Sequence, residues 1–145
     1  VFVDAMETKW GIVPPSAGEI GKMRRSIGSK LKIITDVHVK HAKMVAYRSL
    51  SESTVDSISH GSDGIVVTGD WTGIAPNMTD VMTVHEITQR YDSSIYIGSG
   101  VNIGNINELL RYADGVIVGT SIKTNGYIDK DKAAALVDIV RKADR

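Results

Sequence analysis

A regular alternation of short apolar runs with longer stretches of mixed polarity constrains the fold of this sequence more than any other feature. The runs occupy residues 1–4, 32–38, 64–69, 94–100 and 115–120. They are rich in β-branched residues, and in several of them the apolar residues are consecutive rather than alternating. Consecutive apolar residues are typical of strands that are buried on both faces of a parallel sheet.

The stretches between and after these runs predict helices. They cover residues 16–27, 51–60, 79–90, 105–112 and 129–142. In the last of them Asp129 is a suitable N-cap, and apolar residues recur at helical spacing behind it. Strands that alternate with helices call for a parallel sheet with right-handed crossovers. No linker divides the sequence, so we expect a single domain over residues 1–145.

Length separates two architectures, an open doubly wound sheet and a (β/α)8 barrel. A complete barrel takes about 250 residues, whereas this chain has 145. The sequence therefore has room for five of the eight βα units of a barrel. Because polar residues collect at the predicted strand ends, we favour an α/β fold that is a partial (β/α)8 TIM barrel with a parallel sheet.

Composition narrows the classes of function. The 17 basic residues balance 17 acidic ones, and the lack of a basic excess argues against a nucleic-acid partner. The absence of cysteine excludes disulfides and thiolate metal sites. No apolar run approaches the roughly 20 residues that span a bilayer. We expect a cytoplasmic protein, with peripheral association with an organelle or a thylakoid membrane left open.

Charged side chains collect at the end of the second and third predicted strands. If the strand stays extended, Asp36, His38 and Lys40 share one face, and Asp70 of the next strand approaches them. In a barrel this face lines the mouth, where catalytic groups lie. The alternative interpretation is a strand end with solvated charges, and simple turn chemistry for Asp70 beside Gly69.

This pattern predicts catalytic roles for the four residues. His38 is the preferred proton shuttle, because an imidazole ordinarily titrates nearest to neutrality. Lys40 would neutralise negative charge on a ligand or an intermediate. Asp36 or Asp70 would orient the imidazole or bind a divalent cation. The cofactor is otherwise unknown.

Two glycine-rich segments follow the last two predicted strands. Glycine lets backbone amides approach an anion closely, and a following helix N-terminus adds partial positive charge. The loops after the last two strands of a barrel frequently form a phosphate site. The predicted phosphate-binding residues are Gly98, Ser99, Gly100, Val101, Asn102, Gly119, Thr120 and Ser121.

Four segments of the chain resemble motifs of the BtpA family. Residues 36–42 resemble the family's D-[IV]-x-[VK]-K-H-[AS], and residues 64–76 resemble G-V-I-V-T-G-x-x-T-G-x-x-P. Residues 97–106 resemble V-G-S-G-V-T-P-E-N-[IL], and residues 113–126 resemble A-D-G-x-I-V-G-[ST]-x-x-K-x-x-G. The resemblance runs in order through nearly the whole chain.

Two segments depart from the family pattern. The sequence Asn102-Ile103-Gly104 stands where family members typically have Thr-Pro-Glu, so the proline that preorganises a first helical turn is missing. Residues 1–4 lack the Arg-x-Asn that the family often shows at this strand.

The resemblance implies a TIM barrel of the ribulose-phosphate-binding type, of which this chain would cover strands four to eight. Strands one to three would then be absent, and parallel strands would be left with open edges. We therefore expect either a longer natural protein, whose N-terminal segment covers the edges, or a homo-oligomer.

The residues and the resemblance together predict a barrel that binds a small phosphorylated ligand, such as a sugar phosphate or a nucleotide fragment. Isomerase, lyase and hydrolase chemistry all remain open, because a fold does not choose among them. The alternative is a non-catalytic assembly factor, because one type of family member is linked to photosystem I biogenesis in cyanobacteria. A third interpretation is an incomplete barrel fragment that does not fold alone.

Overall fold

Strands and helices alternate through most of the chain in a computed structural model, which describes residues 1–40 and 42–143. The strands are β1 (Met6–Thr8), β2 (Gly11–Val13), β3 (Ile34–Asp36), β4 (Lys43–Met44), β5 (Gly64–Thr68), β6 (Ser94–Gly98), β7 (Gly115–Ile117), β8 (Lys123–Thr124) and β9 (Tyr127–Ile128). The helices are α1 (Ala17–Ser26), α2 (Leu50–Ser59), α3 (Met78–Arg90), α4 (Ile106–Leu109) and α5 (Lys130–Ala143). A single 3-10 turn, Thr120–Ile122, follows β7.

The main sheet has four parallel strands in the order β3-β5-β6-β7. Helices α2, α3 and α4 lie between successive strands of this sheet in the sequence. Each helix therefore connects two neighbouring parallel strands, which is the repeating unit of a (β/α)8 barrel. The predicted fold class, an α/β fold with part of such a barrel, is confirmed.

The first of the predicted strands is not a strand. Residues 1–4 instead contact the start of α1, where the N–H groups of Ser16 and Ala17 both donate to the carbonyl oxygen of Phe2 at 3.0 Å. The side chains of Phe2 and Asp4 are nevertheless buried. Because the Phe2 carbonyl is bonded to a helix start, it does not pair with β3, and the parallel sheet has four strands rather than five.

A three-stranded antiparallel sheet, in the order β2-β1-β4, was not expected from the sequence. It is built from the segments that follow residues 1–4 and strand β3. All three residues of β2 are exposed, and the Trp10 side chain beside it is 84 % exposed. This sheet therefore adds little to the hydrophobic core.

The core lies where β5 and β6 pack against α3. Ile65, Ile97, Val81 and Val84 are fully buried there. Full burial of each such side chain stabilises the fold by about 1.5–3 kcal/mol. The central pair of strands is therefore a firm support for the loops that leave its carboxyl end. In the described part of the chain, every helix is too short or too polar to cross a bilayer.

Candidate functional site

A cavity of about 290 Å³ lies at the carboxyl ends of β6 and β7. Its lining consists of Thr72, Gly73, Ser99, Gly100, Val101, Asn102, Ile117, Val118, Gly119, Thr120 and Ser121. Seven of the eight predicted phosphate-binding residues therefore come together around one space. We call it the anion cavity.

The exception is Gly98, which belongs to β6 and is not part of the cavity wall. A Cβ atom at this position would lie 2.9 Å from Val66 Cγ1 and 3.0 Å from Thr68 Cγ2. Glycine is required at this position because β5 packs closely against it, and no ligand is needed to explain the residue.

Backbone N–H groups around the anion cavity have few partners in the protein. Those of Gly100, Val101, Gly119 and Thr120 donate no hydrogen bond to any other described residue. Val101 is only 3 % exposed, and buried N–H groups are nearly always paired in folded proteins. Unpaired donors that line a cavity are suited to an anion.

Side chains of two asparagines fix the loop after β6. The N–H of Asn102 donates to Asn105 Oδ1 at 2.9 Å, so this amide is already occupied. Asn102 Nδ2 and Asn105 Nδ2 both donate to the carbonyl oxygen of Gly100, at 3.1 and 3.0 Å. Asn102 therefore contributes to the wall of the cavity and to its rigidity rather than a free N–H.

Gly100 is held against the loop that follows β5. Its φ is +66°, and a Cβ atom there would lie 2.0 Å from the backbone nitrogen of Ala75. The hydroxyl of Ser121 donates to the carbonyl oxygen of Val101 at 2.6 Å, which joins the loop after β7 to the loop after β6. Three loops therefore enclose the cavity as one packed unit.

Lys40, beyond the end of β3, contacts the wall of this cavity without being part of it. Lys40 Nζ donates a hydrogen bond to Ser99 Oγ. Ser99 is itself in the left-handed region, at φ +75°. The structure thus brings Lys40, which was predicted as catalytic, next to the predicted phosphate-binding residues.

Asp36, the last residue of β3, is the acidic group with the most perturbed titration at this end of the sheet. Burial raises its pKa to about 6, against the opposing effects of the Lys40 charge and of a hydrogen bond from Thr68. Thr68 Oγ1 lies 3.4 Å from Asp36 Oδ1. A carboxyl group that titrates near neutrality is suited to exchanging protons with a ligand.

His38 does not lie on a continued strand. Strand β3 ends at Asp36, and His38 has a φ of +51°, so the alternation of side chains stops before His38. His38 lines a very small cavity of about 10 Å³ with Asp4 and Asp36. Its Nε2 atom is buried and has no hydrogen-bond partner among the described residues. His38 is therefore not part of the anion-cavity wall.

Asp70 is exposed on the loop after β5. Within the described residues it makes no hydrogen bond or ion pair with Asp36 or His38. A Cβ atom at Gly69 would lie 2.2 Å from the carbonyl oxygen of Ile74, so the loop after β5 returns close to its own start. The expected approach of Asp70 to the β3 end is not visible in these contacts.

Helix N-termini contribute less positive charge to the anion cavity than the sequence predicts. Only the four-residue helix α4 follows the loop after β6, and a three-residue 3-10 turn follows β7. Such short elements have a small dipole. The N–H groups of these loops and the neighbouring charge of Lys40 are therefore the candidate groups for holding an anion here.

Thr72 and Gly73 were absent from the predicted site although they line the cavity. The signal for them was the Thr-Gly pair within residues 64–76, the segment that resembles a family motif. His41, in the resembling segment 36–42, lies outside the described residues. Across residues 1–40 and 42–143, no three His, Cys, Asp or Glu side chains are grouped closely enough to hold a metal ion.

Comparison with solved structures supports the barrel geometry. A structure described as "Native KDPGal structure" matches with a TM-score of 0.57 at 13 % identity. The match covers 83 % of this chain and 53 % of that one. At this level of identity the similarity concerns the fold alone.

Comparison with curated proteins finds relatives in archaea and in a cyanobacterium. An uncharacterized protein of Pyrococcus furiosus is 37 % identical over 84 % of this chain and 45 % of its own length. The photosystem I biogenesis protein BtpA of Synechocystis is 34 % identical over 90 % and 45 %. An uncharacterized protein of Methanocaldococcus jannaschii is 34 % identical over 93 % and 52 %.

The chain therefore spans about half the length of these curated relatives. The sequence model of the BtpA family matches residues 1–142, which is nearly the whole chain. The resemblance of the four motifs is thereby confirmed, and this chain belongs to the BtpA family.

Proposed function

We propose that the anion cavity binds the phosphate group of a small phosphorylated ligand, and that Asp36 and Lys40 act on this ligand from the neighbouring strand end. The observation that carries the proposal is the set of unpaired N–H groups at Gly100, Val101, Gly119 and Thr120. A phosphate dianion offers oxygen acceptors for such donors, and the ammonium group of Lys40 supplies the balancing charge.

The size of the cavity favours a small ligand. A volume of about 290 Å³ is at the lower end of ligand pockets in general. A sugar phosphate or a nucleotide fragment is of this class. Its phosphate would lie between the loops after β6 and β7, and its remaining part would extend towards β3, where Lys40 contacts Ser99.

The chemistry we propose is proton transfer by Asp36. A carboxyl whose pKa burial raises to about 6 can both release and accept a proton near neutrality. Proton transfer is common to isomerases, lyases and hydrolases, and the proposal does not choose among them. Asp36 thereby takes the role that the sequence favoured for His38. Catalytic roles for His38 and Asp70, and a requirement for a divalent cation, stay predictions.

The anion cavity and the end of β3 make up one part of a barrel mouth. We propose that the chain corresponds to the C-terminal part of the barrel, and that further strands or a second copy would complete the mouth around the ligand. An open edge at β3 is consistent with this, because β3 has a neighbour on only one side among the described strands. The full ligand would then contact residues of those further strands as well.

A second candidate function is a non-catalytic role in assembly. The observation that favours it is the name of the Synechocystis relative, a photosystem I biogenesis protein. In this case the anion cavity would be inherited from an ancestral enzyme, and phosphorylated ligands would not bind. The two functions therefore differ in a property that is simple to measure.

The experiment is a thermal-shift titration of this chain with inorganic phosphate, with several sugar phosphates and with nucleoside monophosphates, each with and without Mg²⁺. A ligand at about 100 times its Kd should stabilise the folded state by roughly 2.7 kcal/mol. A saturable rise in Tm for one phosphorylated class is expected. A cooperative melt without any shift would contradict ligand binding and favour the assembly role.

A matched pair of variants connects the shift to the site. Lys40→Met removes the ammonium group beside Ser99 and should weaken phosphate binding about tenfold, because a hydrogen bond to a charged group contributes about 1.5–3 kcal/mol. Lys30→Met removes an exposed lysine and should leave the phosphate Kd unchanged. Equal losses in both variants would mean that the anion responds to net charge alone.

A further inference from the structure

Large apolar side chains stay exposed beside the anion cavity. They are those of Trp71, Ile74 and Ile103, and we call them the apolar rim. Trp71 and Ile74 flank the two residues of the loop after β5 that line the cavity, and Ile103 follows the lining residue Asn102. Single exposed apolar side chains need no explanation, whereas a group of them beside a cavity is typical of a ligand site.

Trp71 is held beside the cavity by a tight turn. The N–H of Ile74 donates to the carbonyl oxygen of Trp71 at 3.1 Å, and Gly73 has a φ of +86°. These are features of a type II turn, in which the first and fourth residues come within about 7 Å of each other. Thr72 and Gly73 form the tip of the turn and belong to the cavity wall. Trp71 is therefore one residue from the wall, and its side chain is 61 % exposed.

The end of this turn is fixed by close packing. A Cβ atom at Gly100, in the loop after β6, would lie 2.5 Å from Ala75 Cα. A Cβ atom at Gly69 would lie 2.8 Å from the carbonyl oxygen of Ala75. The turn that carries Trp71 is therefore packed between two backbone segments. A ligand that contacts Trp71 does not have to order this backbone first, which favours binding.

We propose that Trp71 stacks on a planar ring of the ligand, so that the anion cavity takes a phosphate joined to an aromatic ring, as in a nucleoside monophosphate. The proposal rests on the proposed function, because the phosphate has to bind in the anion cavity. It narrows that function, which leaves sugar phosphates and nucleotide fragments open, to the second class. Ile74 and Ile103 would add apolar surface around the ring.

The position of Trp71 agrees with the proposed direction of the ligand. The strand order is β3-β5-β6-β7. A ligand whose phosphate lies between the loops after β6 and β7, and which extends towards β3, passes the loop after β5. Trp71 belongs to that loop, so its indole lies on the side to which the rest of the ligand would extend.

The chemistry of the apolar rim favours a ring over a sugar. The hydroxyl groups of a sugar need hydrogen-bond partners when they leave water, and the rim side chains offer only the indole N–H of Trp71. The faces of a planar ring need no such partners and can cover the indole, as nucleic-acid bases do on the aromatic side chains of proteins. One such contact strengthens binding about tenfold.

Tryptophan fluorescence tests the contact, because the sequence has two tryptophans. Trp10 lies between β1 and β2, has Lys9 Nζ 4.3 Å from its ring centre, and is absent from the cavity wall. In Trp10→Phe, adenosine monophosphate should quench the remaining fluorescence, that of Trp71, in a saturable way. In Trp71→Phe, only the loss of light absorbed by the nucleotide should remain. Equal quenching in the two variants would overturn the proposal.

Affinities of two matched ligands measure what the ring contributes. Adenosine monophosphate and ribose 5-phosphate share the ribose and the phosphate and differ in the adenine ring. By titration calorimetry, adenosine monophosphate is expected to bind about tenfold more tightly. Trp71→Ala should remove this preference and leave the Kd of ribose 5-phosphate unchanged, which also shows that the variant folds. Trp71→Phe should keep most of the preference, and Trp10→Ala should keep all of it.

The remaining outcomes separate the stacking from the proposed function. If ribose 5-phosphate binds and adenine adds nothing, or if Trp71→Ala keeps the full preference, the stacking is wrong while the phosphate site stands. If neither phosphorylated ligand binds, or if adenosine without phosphate binds as tightly as adenosine monophosphate, the proposed phosphate site fails. The role of Trp71 in selecting a phosphorylated ligand then fails with it.

Discussion

The two sides of the barrel mouth are built from different parts of the polypeptide. On the side of β6 and β7, the anion cavity is lined mainly by loop residues, and the proposed donors are their N–H groups. At the end of β3, the proposed functional groups are the side chains of Asp36 and Lys40. Backbone N–H groups do not titrate, so the first side would keep its donors at every pH. The carboxyl group of Asp36 titrates, so the charge of the second side depends on pH.

This difference follows from local packing. The loop after β6 is fixed by Asn102 and Asn105 and lies against the backbone of Ala75. Strand β3 has only three residues, and the chain beyond Asp36 bends at once into a left-handed residue. The loop after β6 is therefore fixed by its own hydrogen bonds, whereas the chain beyond β3 is not held by the sheet.

Substitution of Gly100 is expected to have the largest effect on the free energy of unfolding, because Gly100 lies in the tightly packed loop after β6. In Gly100→Ala a Cβ atom would lie 2.0 Å from the Ala75 nitrogen, and the φ of +66° would be strained as well. We expect a loss of about 3 kcal/mol in the free energy of unfolding, measured by urea denaturation, together with loss of phosphate binding in the thermal-shift titration.

Gly119→Ala is the matched control on the same cavity. A Cβ atom at Gly119 would meet open space, with no neighbouring heavy atom within 4 Å, and the φ of −137° is outside the left-handed region. The free energy of unfolding should change by no more than about 0.5 kcal/mol. Comparable losses in both variants would mean that the packing of Gly100 against Ala75 does not set the rigidity of this side.

Most of the fold could be predicted from the sequence, because buried parallel strands and capped helices leave local patterns. The runs at 64–69 and 94–100 contain β5 and β6, and Asp129 caps α5 by accepting from the N–H of Lys132 at 3.2 Å. The run at 1–4 has the same apolar character and is not a strand. Its backbone is bonded to the start of α1, and no local pattern encodes such a distant contact.

The anion cavity could also be predicted in outline, since glycine-rich loops after neighbouring parallel strands must lie close together. The arrangement of side chains around the end of β3 could not be predicted in this way. A period of two assumes an extended chain, and the left-handed His38 ends that period directly after Val37. Lys40 therefore reaches Ser99 through a turn, and the predicted shared face of Asp36, His38 and Lys40 is not formed by a continued strand.

Asp36→Asn is expected to have an intermediate effect on the free energy of unfolding, and the size of this effect depends on pH. Because burial raises the pKa of Asp36 from 3.8 to about 6, the folded protein binds more protons than the unfolded chain between these values. The free energy of unfolding therefore falls as the pH rises through this window. The carboxyl is partly exposed to solvent, so we expect the loss to be about 1–2 kcal/mol rather than the full value of the shift.

Asparagine carries no charge and keeps an acceptor for Thr68, so Asp36→Asn should lack this loss. Above about pH 6 it should be more stable than the natural sequence, and at acid pH the two should be equal, as measured by urea denaturation across pH. Asp138→Asn, on the exposed face of α5, is the matched control. Lower stability of Asp36→Asn at neutral pH would show that the ionised carboxylate is stabilised rather than penalised.

Asp70→Asn is expected to have the smallest effect on the free energy of unfolding. It tests whether Asp70 lies close enough to Asp36 to affect the pKa of Asp36. Asp70 is exposed, and it takes no part in the pairing of Thr68 with Asp36. We expect the free energy of unfolding to change by no more than about 0.5 kcal/mol, and the pKa of Asp36, measured by NMR of its carboxyl carbon, to stay the same. Two nearby carboxylates raise each other's pKa. A lower pKa of Asp36 in Asp70→Asn would therefore place Asp70 beside Asp36 and restore the four-residue cluster that the sequence predicted.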